Sequence, residues 1–339
     1  MDHFLKERYR KRSREALKRA IESGSITVER DLATGLVVGR LKPSTQLIPG
    51  DSVLVLSERK PEPPVNFNYK VLHEDDDLFV IEKPANLPVH PAGRYFFNTL
   101  LVHLKTEGHK NPMKAEREFF LVHRIDKETS GILVLAKERT VAADLVKQFA
   151  DRKTEKTYLA IARGKTPDEF EVDAPMNRDP HSAIGLKMAI LPEDSGGLSA
   201  KTRFKRLEMI ECAPSTPGAE PNYLSIVECY PKTGRQHQIR LHLEHAGHPI
   251  LGDKLYGLPE KEALKFYDRA RLTPEDEARL LHPRHALHSA GIRFTNPTTK
   301  RPMEFKSGLP EDLMEFIRDA KAGRVDFRFA HPLKAQSPH

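Results

Sequence analysis

Short apolar strand patterns alternate with amphipathic helix patterns from about residue 69 onward, and this mixture narrows the fold classes open to the chain. VLHEDDDLFVIEK, 71–83, predicts two strands around an acidic turn, and GILVLAK, 131–137, predicts a buried strand. TVAADLVKQFADRK, 140–153, has the spacing of an amphipathic helix. Strands and helices are therefore intermixed, and we predict an α+β domain rather than a doubly wound one.

Later segments continue the same mixture. KTYLAIARG, 156–164, and YLSIVECY, 223–230, predict strands, whereas RQHQIRLHLEHAG, 235–247, predicts a helix that ends at Gly247. The polar span 180–200 contains a Gly-Gly pair and is expected to be a flexible excursion. The last residues, FAHPLKAQSPH, are expected to form a loose tail.

The N-terminal region has a different pattern. Apolar residues at helical spacing among lysines and arginines predict a basic helix over 4–22. SITVE, 25–29, and DSVLVLS, 51–57, predict short strands that flank an irregular insert, and a proline-rich stretch follows them. The predicted organisation is a basic N-terminal domain at 1–60, a linker at 61–68, a large α+β domain at 69–325 and a loose tail at 326–339.

The charge balance favours a polyanionic partner. The chain carries a formal net charge of +7 and has a pI of about 9.2, a balance that an ordinary basic enzyme also shows. Residues 1–60 hold 13 lysines and arginines against 8 acidic residues. The N-terminal region is therefore the expected electrostatic arm.

Composition also excludes several protein classes. No apolar run approaches the roughly 20 residues needed to span a bilayer, and the charged start MDHFLKERYRKR lacks the apolar segment of a signal peptide. Cys212 and Cys229 show no CxxC spacing and predict core thiols rather than a disulfide framework. We expect a protein without a membrane span that works in the reducing cytoplasm.

Cofactor motifs are missing from the sequence. It contains neither a GxxxxGK[ST] loop nor a strand-linked GxGxxG, so no bound nucleotide is expected. Two histidine runs have the i, i+3 spacing that can direct two imidazoles at one metal ion; they are His242, His245, His248 and His282, His285, His288. Because they carry no HExxH-like arrangement with a suitably placed acid, we expect no metal. A metal-dependent hydrolase is the corresponding alternative.

Three segments stand out together as candidates for chemistry. They are HRIDKETSG at 123–131, KTY at 156–158 and GRQHQIRLHL at 234–243. Asp126 in the first segment is either a catalytic carboxylate or part of a capped turn, because Asp, Thr and Ser satisfy local backbone donors well. The residue pattern by itself leaves both interpretations open.

HRIDKETSG resembles the active-site signature of the RluA-type pseudouridine synthases, His-Arg-Leu-Asp-x-x-Thr-Ser-Gly, and departs from it only at Ile125. Segments over roughly 69–318 resemble family segments in the same order; they are DDDLFVIEKPANLPVHP, KTY, GRQHQIRLHLEHAGHPILGDKLYG and RHALHSAGIRFTNPTTKRPMEF. The resemblance implies a pseudouridine synthase fold, with a central mixed, largely antiparallel sheet, flanking helices and an RNA-binding cleft. A small basic N-terminal domain precedes it here.

The activity that this resemblance implies is the cofactor-free conversion of specific uridines in structured RNA to pseudouridine. The uracil is detached from its ribose, turned and rejoined through carbon 5. Asp126 matches the essential carboxylate of the family, which acts either as a nucleophile or as a base that removes a sugar proton through a glycal intermediate. Because the base must leave its stack to react, a loop or single-stranded target is expected.

Four more residues match family positions. Arg240 matches the basic partner of the aspartate, and such a pair about 4 Å apart at an effective dielectric near 20 gains about 4 kcal/mol, which keeps a buried carboxylate ionised. Tyr158 matches the tyrosine that stacks on the uracil, with a strand-core aromatic as the alternative. Ile239 matches an apolar wall against the base. Arg124 matches the arginine that fills the vacated space, with an ordinary phosphate contact as the alternative.

Other side chains are candidates for phosphate or ribose contacts. They are His90, Asn98, Lys156, Arg235, Lys83, Arg94 and Lys232. Within the signature, Thr129 and His123 complete the RNA-binding set, with a structural role expected for His123.

The expected partner is RNA, and the expected state is a monomer. SREALKRAIESGSITVE and LIPGDSVLVL resemble the small αL-type RNA-binding module, which is commoner in members acting on large-subunit ribosomal RNA. VHPAGRYFFNTL resembles members acting on transfer RNA, so both substrates stay open. A non-catalytic RNA-binding or ribosome-assembly protein with a synthase-like fold is the alternative function, and the presence of Asp126, Tyr158 and Arg240 argues against it.

Overall fold

The computed structural model describes residues 1–8, 13–31, 36–37, 41–55, 61–110, 118–212, 214, 221–268, 273–328 and 330. The chain divides into two compact units, 1–62 and 63–339. Within the described ranges, no helix is long and apolar enough to cross a membrane.

The N-terminal unit packs two short helices against a small antiparallel sheet. Its elements are α1 Asp2–Arg8, α2 Arg14–Glu22, β1 Ile26–Asp31, β2 Leu36–Val37 and β3 Ser52–Val55, with strand order β2-β1-β3. Leu5, Leu17 and Ile26 share its core. The strands predicted at 25–29 and 51–57 are confirmed.

The single helix predicted over 4–22 is wrong. Ser13 has an extended backbone, and its hydroxyl accepts a hydrogen bond from the amide of Ala16 at 3.2 Å. A serine in this position caps a new helix, because it satisfies an amide that has no intrahelical partner. The irregular insert predicted between the strands lies partly outside the described residues.

A ten-stranded sheet forms the centre of the second unit. The strands of this unit are β4 Lys70–Glu74, β5 Leu78–Lys83, β6 Phe120–Leu121, β7 Ser130–Ala136, β8 Glu155–Arg163, β9 Glu169–Asp173, β10 Met176–Arg178, β11 Met188–Ile190, β12 Lys201–Cys212, β13 Asn222–Pro231, β14 Leu287–Thr295 and β15 Pro302–Lys306. The sheet order is β4-β5-β7-β14-β8-β13-β12-β9, with β6 beside β7 and β15 beside β14, while β10 and β11 form a separate ribbon.

The sheet is mixed but largely antiparallel, as predicted. Among the described strands, β7 and β14 form the single parallel pair, through His288 opposite Ser130 and Ser289 opposite Gly131. The strands predicted at 71–83, 131–137, 156–164 and 223–230 are confirmed. Every residue of β7 is buried, which agrees with its uninterrupted apolar sequence.

Among the described residues, the second unit contains six α-helices. They are α3 Leu100–Lys110, α4 Arg139–Ala150, α5 Gln238–His245, α6 Glu260–Asp268, α7 Pro274–Leu280 and α8 Glu311–Lys321. The predicted helices at 140–153 and 235–247 are confirmed as α4 and α5. Gly247 follows the C-cap of α5 with φ of 81°, the left-handed conformation in which glycine ends a helix.

The expectation of a flexible excursion at 180–200 is wrong. Ile184 and Ala200 are completely buried and share a hydrophobic cluster with Met176 and Tyr256. A Cβ at Gly197 would collide with the backbone carbonyl of Leu191, so a glycine is required for close packing there. The apolar residues within 180–200 therefore pack this segment into the domain.

The C-terminal residues remain attached to the core as far as they are described. Phe327 is buried and belongs to the same cluster as Phe316 and Ile317 of α8. Residues 329 and 331–339 of the predicted tail lie outside the described residues. Cys212 and Cys229 are buried free thiols, which confirms their predicted role as core residues.

Candidate active site

Asp126 lies in the turn that connects β6 to β7. The amide of Thr129 donates to the Asp126 carbonyl at 3.2 Å and closes this turn. The Thr129 hydroxyl is hydrogen-bonded to His285 Nε2 at 2.8 Å, and Ser130 Oγ to His288 Nδ1 at 2.9 Å. These bonds fasten the turn to β14 and to the segment that precedes it. The capped-turn interpretation of HRIDKETSG is therefore wrong for its side chains, because those of Asp126, Thr129 and Ser130 bond to distant side chains and not to local backbone amides. These bonds fix the position of the carboxylate.

The Arg240 guanidinium on α5 lies between two carboxylates. Its Nη1 donates to Asp126 Oδ2 at 2.9 Å, closer than the separation assumed from the sequence. Its Nε and Nη2 donate to the two oxygens of Asp253 at 2.6 and 2.8 Å, the bidentate geometry that favours arginine. Asp253 also accepts from the amides of Leu255 and Tyr256. Arg240 is thus held rigidly while one N–H points at Asp126.

Asp126 is ionised at neutral pH. Burial by itself would raise the pKa of its carboxyl group, but the positive charges at His237, Arg240 and His285 and the Arg240 hydrogen bond lower it well below its usual value. Burial lowers the pKa of both histidines to about 4, so they carry a positive charge only in the acidic range in which Asp126 would take up a proton. At pH 7 both are neutral, and Arg240 is the cation that stabilises the charged carboxylate. The Asp126 side chain stays 22% exposed and is accessible from the cavity.

Tyr158 on β8 faces the same site. Burial, followed by the negative charge of Asp126, raises the pKa of its hydroxyl to about 12, against a hydrogen bond with Ser289 that lowers it. Tyr158 is consequently a neutral phenol at pH 7.

A cavity of about 420 Å³ connects these groups. Asp126, Tyr158 and Arg240 line it together with Ile239, and the exposed Arg124 also contributes to its wall. The volume lies in the range of small-molecule sites. The structure therefore brings the three predicted catalytic residues, the predicted apolar wall and Arg124 into one cleft.

Of six further predicted residues, four line the cavity and two do not. Lys156 and Arg235 line the cavity, and burial lowers the pKa of Lys156 to about 8. His123 and Thr129 also line it, but both are bound internally; His123 Nε2 accepts from the amide of Val134 at 3.0 Å. His90 and Asn98 lie outside the lining of this cavity.

Lys83 has a structural position in the described molecule. It is fully buried, and its ammonium donates to the carbonyls of Pro84, Leu87 and Lys127 at 2.8 to 3.1 Å. Three backbone acceptors satisfy the three ammonium donors. A phosphate contact through this side chain is therefore incompatible with the structure.

Two residues of the site were missed from the sequence. Asp253 sits in the segment GDKLYG, and the Gly-Asp pair before an aromatic was the available signal. His237 precedes α5 in the left-handed region with φ of 57°, an unusual conformation for a residue with a Cβ. Its Nε2 lies 4.0 Å from Asp126 Oδ2, and its Nδ1 is hydrogen-bonded to the Tyr256 hydroxyl at 3.0 Å.

Most histidines of the two runs make internal hydrogen bonds. His242 Nδ1 bonds to Thr202 Oγ1 at 2.9 Å, and His282 Nδ1 is hydrogen-bonded within its own turn to the Arg284 backbone. His285 and His288 bond to Thr129 and Ser130. In the part of the chain that the structure describes, no three His, Cys, Asp or Glu side chains are grouped to hold a metal ion.

Comparisons with known proteins agree with this geometry. A family model described as RNA pseudouridylate synthase matches residues 77–245. The chain is 33% identical over 285 residues to ribosomal large subunit pseudouridine synthase D of Neisseria meningitidis serogroup A, covering 81% of this chain and 68% of that protein. The protein of the same name from Zymomonas mobilis is 32% identical over 315 residues, covering 92% and 91%.

A solved structure gives the same result. The human protein RNA pseudouridylate synthase domain containing 4 superposes with a TM-score of 0.52 at 26% identity, covering 74% of this chain and 93% of that chain. Fold and relatives together define an RNA pseudouridine synthase, which is an isomerase. Within that class, the chain belongs to the RluA-type family, as its signature segment predicted. The predicted fold and enzyme class are confirmed.

Proposed function

We propose that this enzyme converts specific uridines in structured RNA to pseudouridine with Asp126 as its catalytic carboxylate. The observation that carries the proposal is the guanidinium of Arg240, which bonds to Asp126 at 2.9 Å while Asp253 holds it from the other side. This arrangement keeps Asp126 charged inside a cleft. A carboxylate that only capped a turn would need no buried, rigidly held cation.

The reaction requires an ionised Asp126 in either of its forms. A nucleophile needs a free electron pair on its oxygen, and a base that removes a sugar proton needs the same. The lowered pKa of Asp126 supplies this state at neutral pH. The extruded uridine would enter the cavity, with Arg124 at its wall filling the space left in the RNA stack.

Tyr158 and Ile239 would hold the uracil while it turns. Both line the cavity that contains Asp126, and an aromatic ring and an apolar side chain allow a base to rotate without breaking specific hydrogen bonds. Conversion to pseudouridine removes a proton from carbon 5 and adds one to the nitrogen that was bound to ribose. Tyr158 is a phenol at pH 7, so it takes part as a hydrogen-bonding group and not as a standing phenolate.

The substrate that we propose to test first is large-subunit ribosomal RNA. The relatives from Neisseria and Zymomonas carry that substrate in their names, which supports it, and transfer RNA is the alternative. Lys156 and Arg235 at the cavity would contact its phosphates. The basic unit 1–62 would add RNA affinity as an αL-type module, and the enzyme would act as a cytoplasmic monomer without a cofactor.

Pseudouridine mapping tests this function. Ribosomal and transfer RNA from cells with the gene deleted are compared with the same cells expressing the wild-type chain. We expect a site that is lost on deletion and restored by the wild-type chain. An unchanged map in both RNA classes would contradict the proposed substrates.

A further inference from the structure

Residues 92–95 form a tight hairpin. The backbones of Ala92 and Tyr95 exchange two hydrogen bonds of 2.9 and 3.1 Å, and Gly93 adopts φ of 59° in the turn between them. The chain that follows is fixed at the start of α3, where the amide of Leu100 donates to the Pro88 carbonyl at 2.9 Å. Backbone hydrogen bonds therefore hold both the hairpin and the chain that follows it.

This hairpin is tied to the catalytic turn. The Lys127 ammonium, one residue after Asp126, lies 5.4 Å from the centre of the Tyr95 ring, a cation–π distance. The buried Lys83 ammonium donates to the carbonyls of both Leu87 and Lys127, at 3.0 and 3.1 Å. It thereby joins the segment that precedes the hairpin to the turn that carries Asp126. The hairpin therefore lies beside the turn that carries Asp126.

Two large rings follow the hairpin at the surface. Phe96 and Phe97 are 49% and 59% exposed, and their rings meet edge to face with centroids 4.9 Å apart. Phenylalanine is usually much more deeply buried, so adjacent exposed rings indicate a contact surface. The stretch 90–98 contains no acidic residue, and the exposed Arg94 lies within it.

We infer that Phe96 and Phe97 form a stacking platform for unpaired nucleobases that flank the target uridine. Aromatic faces bind bases of any sequence, and nearby cations bind the phosphates between them. Arg94 and Lys127 provide those cations on the hairpin side, and Arg124 provides one at the cavity. The inference rests on the proposed function, because it assigns to the same site the part of the RNA beside the reacting nucleotide.

The test compares binding of two RNA probes to the full chain. One is a hairpin RNA with a uridine-rich loop, and the other is a blunt duplex with the same stem. Replacing both rings, Phe96→Ala with Phe97→Ala, should weaken binding of the loop probe by roughly 5- to 100-fold per stacked base. Duplex binding should stay within about twofold, since phosphate contacts dominate it.

Matched variants separate stacking from damage to the fold. Phe96→Tyr with Phe97→Tyr keeps both rings and should bind the loop probe within about threefold of wild type. Leu207→Ala with Met209→Ala removes exposed apolar side chains from β12, outside the cavity lining, and should leave both probes unaffected. A thermal melt close to that of wild type shows that the Ala variant is folded.

Two outcomes would overturn the platform. One is unchanged affinity of the Ala variant for the loop probe, which would assign the rings to a protein contact. The other is an equal loss for loop and duplex. Either outcome is compatible with the proposed function if the wild-type chain still forms pseudouridine. A wild-type chain that forms no pseudouridine in any RNA contradicts the proposed function, whatever the two rings bind.

Discussion

Arg240 neutralises only part of the charge around it, because it faces both Asp126 and Asp253. Asp253 is fully buried, and burial by itself would raise its pKa, but Arg240 holds that pKa at about 2. The Arg240–Asp253 pair therefore fixes the orientation of the guanidinium, and the remaining N–H of Arg240 donates to Asp126, the proposed catalytic carboxylate.

The substitution Asp253→Asn tests whether Asp253 fixes the orientation of Arg240. Breaking a buried ion pair by removing one partner should cost about 3–5 kcal/mol of the free energy of unfolding, and it should lower kcat at least tenfold because Arg240 loses its fixed orientation. Urea denaturation and single-turnover kinetics measure the two effects. Asp319→Asn, which alters an exposed pair with Arg324, should cost at most about 1 kcal/mol. A wild-type kcat in Asp253→Asn would contradict the role of Asp253 in orienting Arg240.

The stability that Asp253 contributes to the fold also depends on pH. Its pKa is about 2 in the folded chain against an ordinary value of 3.8, so its contribution is present above pH 4 and is lost as the pH falls towards 2. Asp126 has a pKa lowered in the same direction. Neither carboxylate titrates between pH 5 and 9.

Lys156 is the cavity residue that titrates near neutrality. Burial lowers its pKa to about 8, so its ammonium loses its proton as the pH rises through that value. If Lys156 binds phosphate, RNA affinity should fall between pH 7 and 9, and Lys156→Arg should remove most of that decline because arginine stays charged. Filter binding at constant ionic strength measures this. An equally steep decline in Lys156→Arg would exclude Lys156 as its source.

At the residue scale, the sequence predicted the three proposed catalytic residues but not the residues that hold them in place. Asp126, Tyr158 and Arg240 were found because their motifs resemble the family's. Asp253 and His237 depend on packing between distant segments, and a lone Asp after a glycine is a common turn residue. For Lys83 the sequence predicted a function that the structure excludes. A lysine near a motif suggests a phosphate contact, but Lys83 is buried and its ammonium donates to backbone carbonyls of two segments.

At the scale of elements, a close backbone approach near the site joins β7 to β14. Gly131 has φ of 109°, and a Cβ there would lie 2.7 Å from the Ser289 amide nitrogen. The Ser289 hydroxyl donates to the Ile132 carbonyl of β7 at 3.1 Å and strengthens this pairing. The glycine of the signature therefore permits the parallel pairing that sets the distance between the Asp126 turn and β14.

Gly131→Ala should therefore destabilise the fold through a backbone collision. We expect a loss of at least about 2 kcal/mol in the free energy of unfolding, from strain at positive φ together with overpacking. Gly323→Ala is the matched control, because Gly323 has φ of 68° but open space around it, so its loss should be about 1 kcal/mol. Equal losses for the two variants in urea denaturation would show that the close approach carries no cost.

Elements with a strong internal pattern were predictable, and those that depend on partners were not. β7 is apolar from Ile132 to Ala136, and α4 has an apolar stripe, so the local sequence of each predicts its type. In the segment 180–200, apolar residues are mixed with prolines, glycines and charged residues. The segment is ordered because Ile184 and Met188 reach a cluster that contains Leu241 and Tyr256. Tertiary contacts of this kind have no periodic signature.

At the scale of the whole molecule, the two compact units agree with the change in charge and composition near residue 60. The role of the first unit in RNA binding stays a prediction. Its basic surplus implies that it releases counterions when it meets phosphate.

Removal of residues 1–62 should weaken RNA binding and make its salt dependence shallower. The reason is that the slope of log affinity against log salt falls by roughly one for each phosphate that the protein no longer neutralises. Binding of ribosomal RNA fragments across a salt series measures the slope, and circular dichroism confirms that the remaining chain is folded. A slope identical to that of the full chain would remove this unit from RNA binding.

The central claim is that Asp126 performs chemistry on uridine, and the most direct measurement is single-turnover pseudouridine formation by Asp126→Asn on the RNA that deletion mapping identifies. The substitution keeps the shape of the side chain and removes its charge. We predict that turnover falls to background while RNA affinity stays within about tenfold of wild type. Turnover at the wild-type rate would contradict the assignment of Asp126 as the catalytic carboxylate.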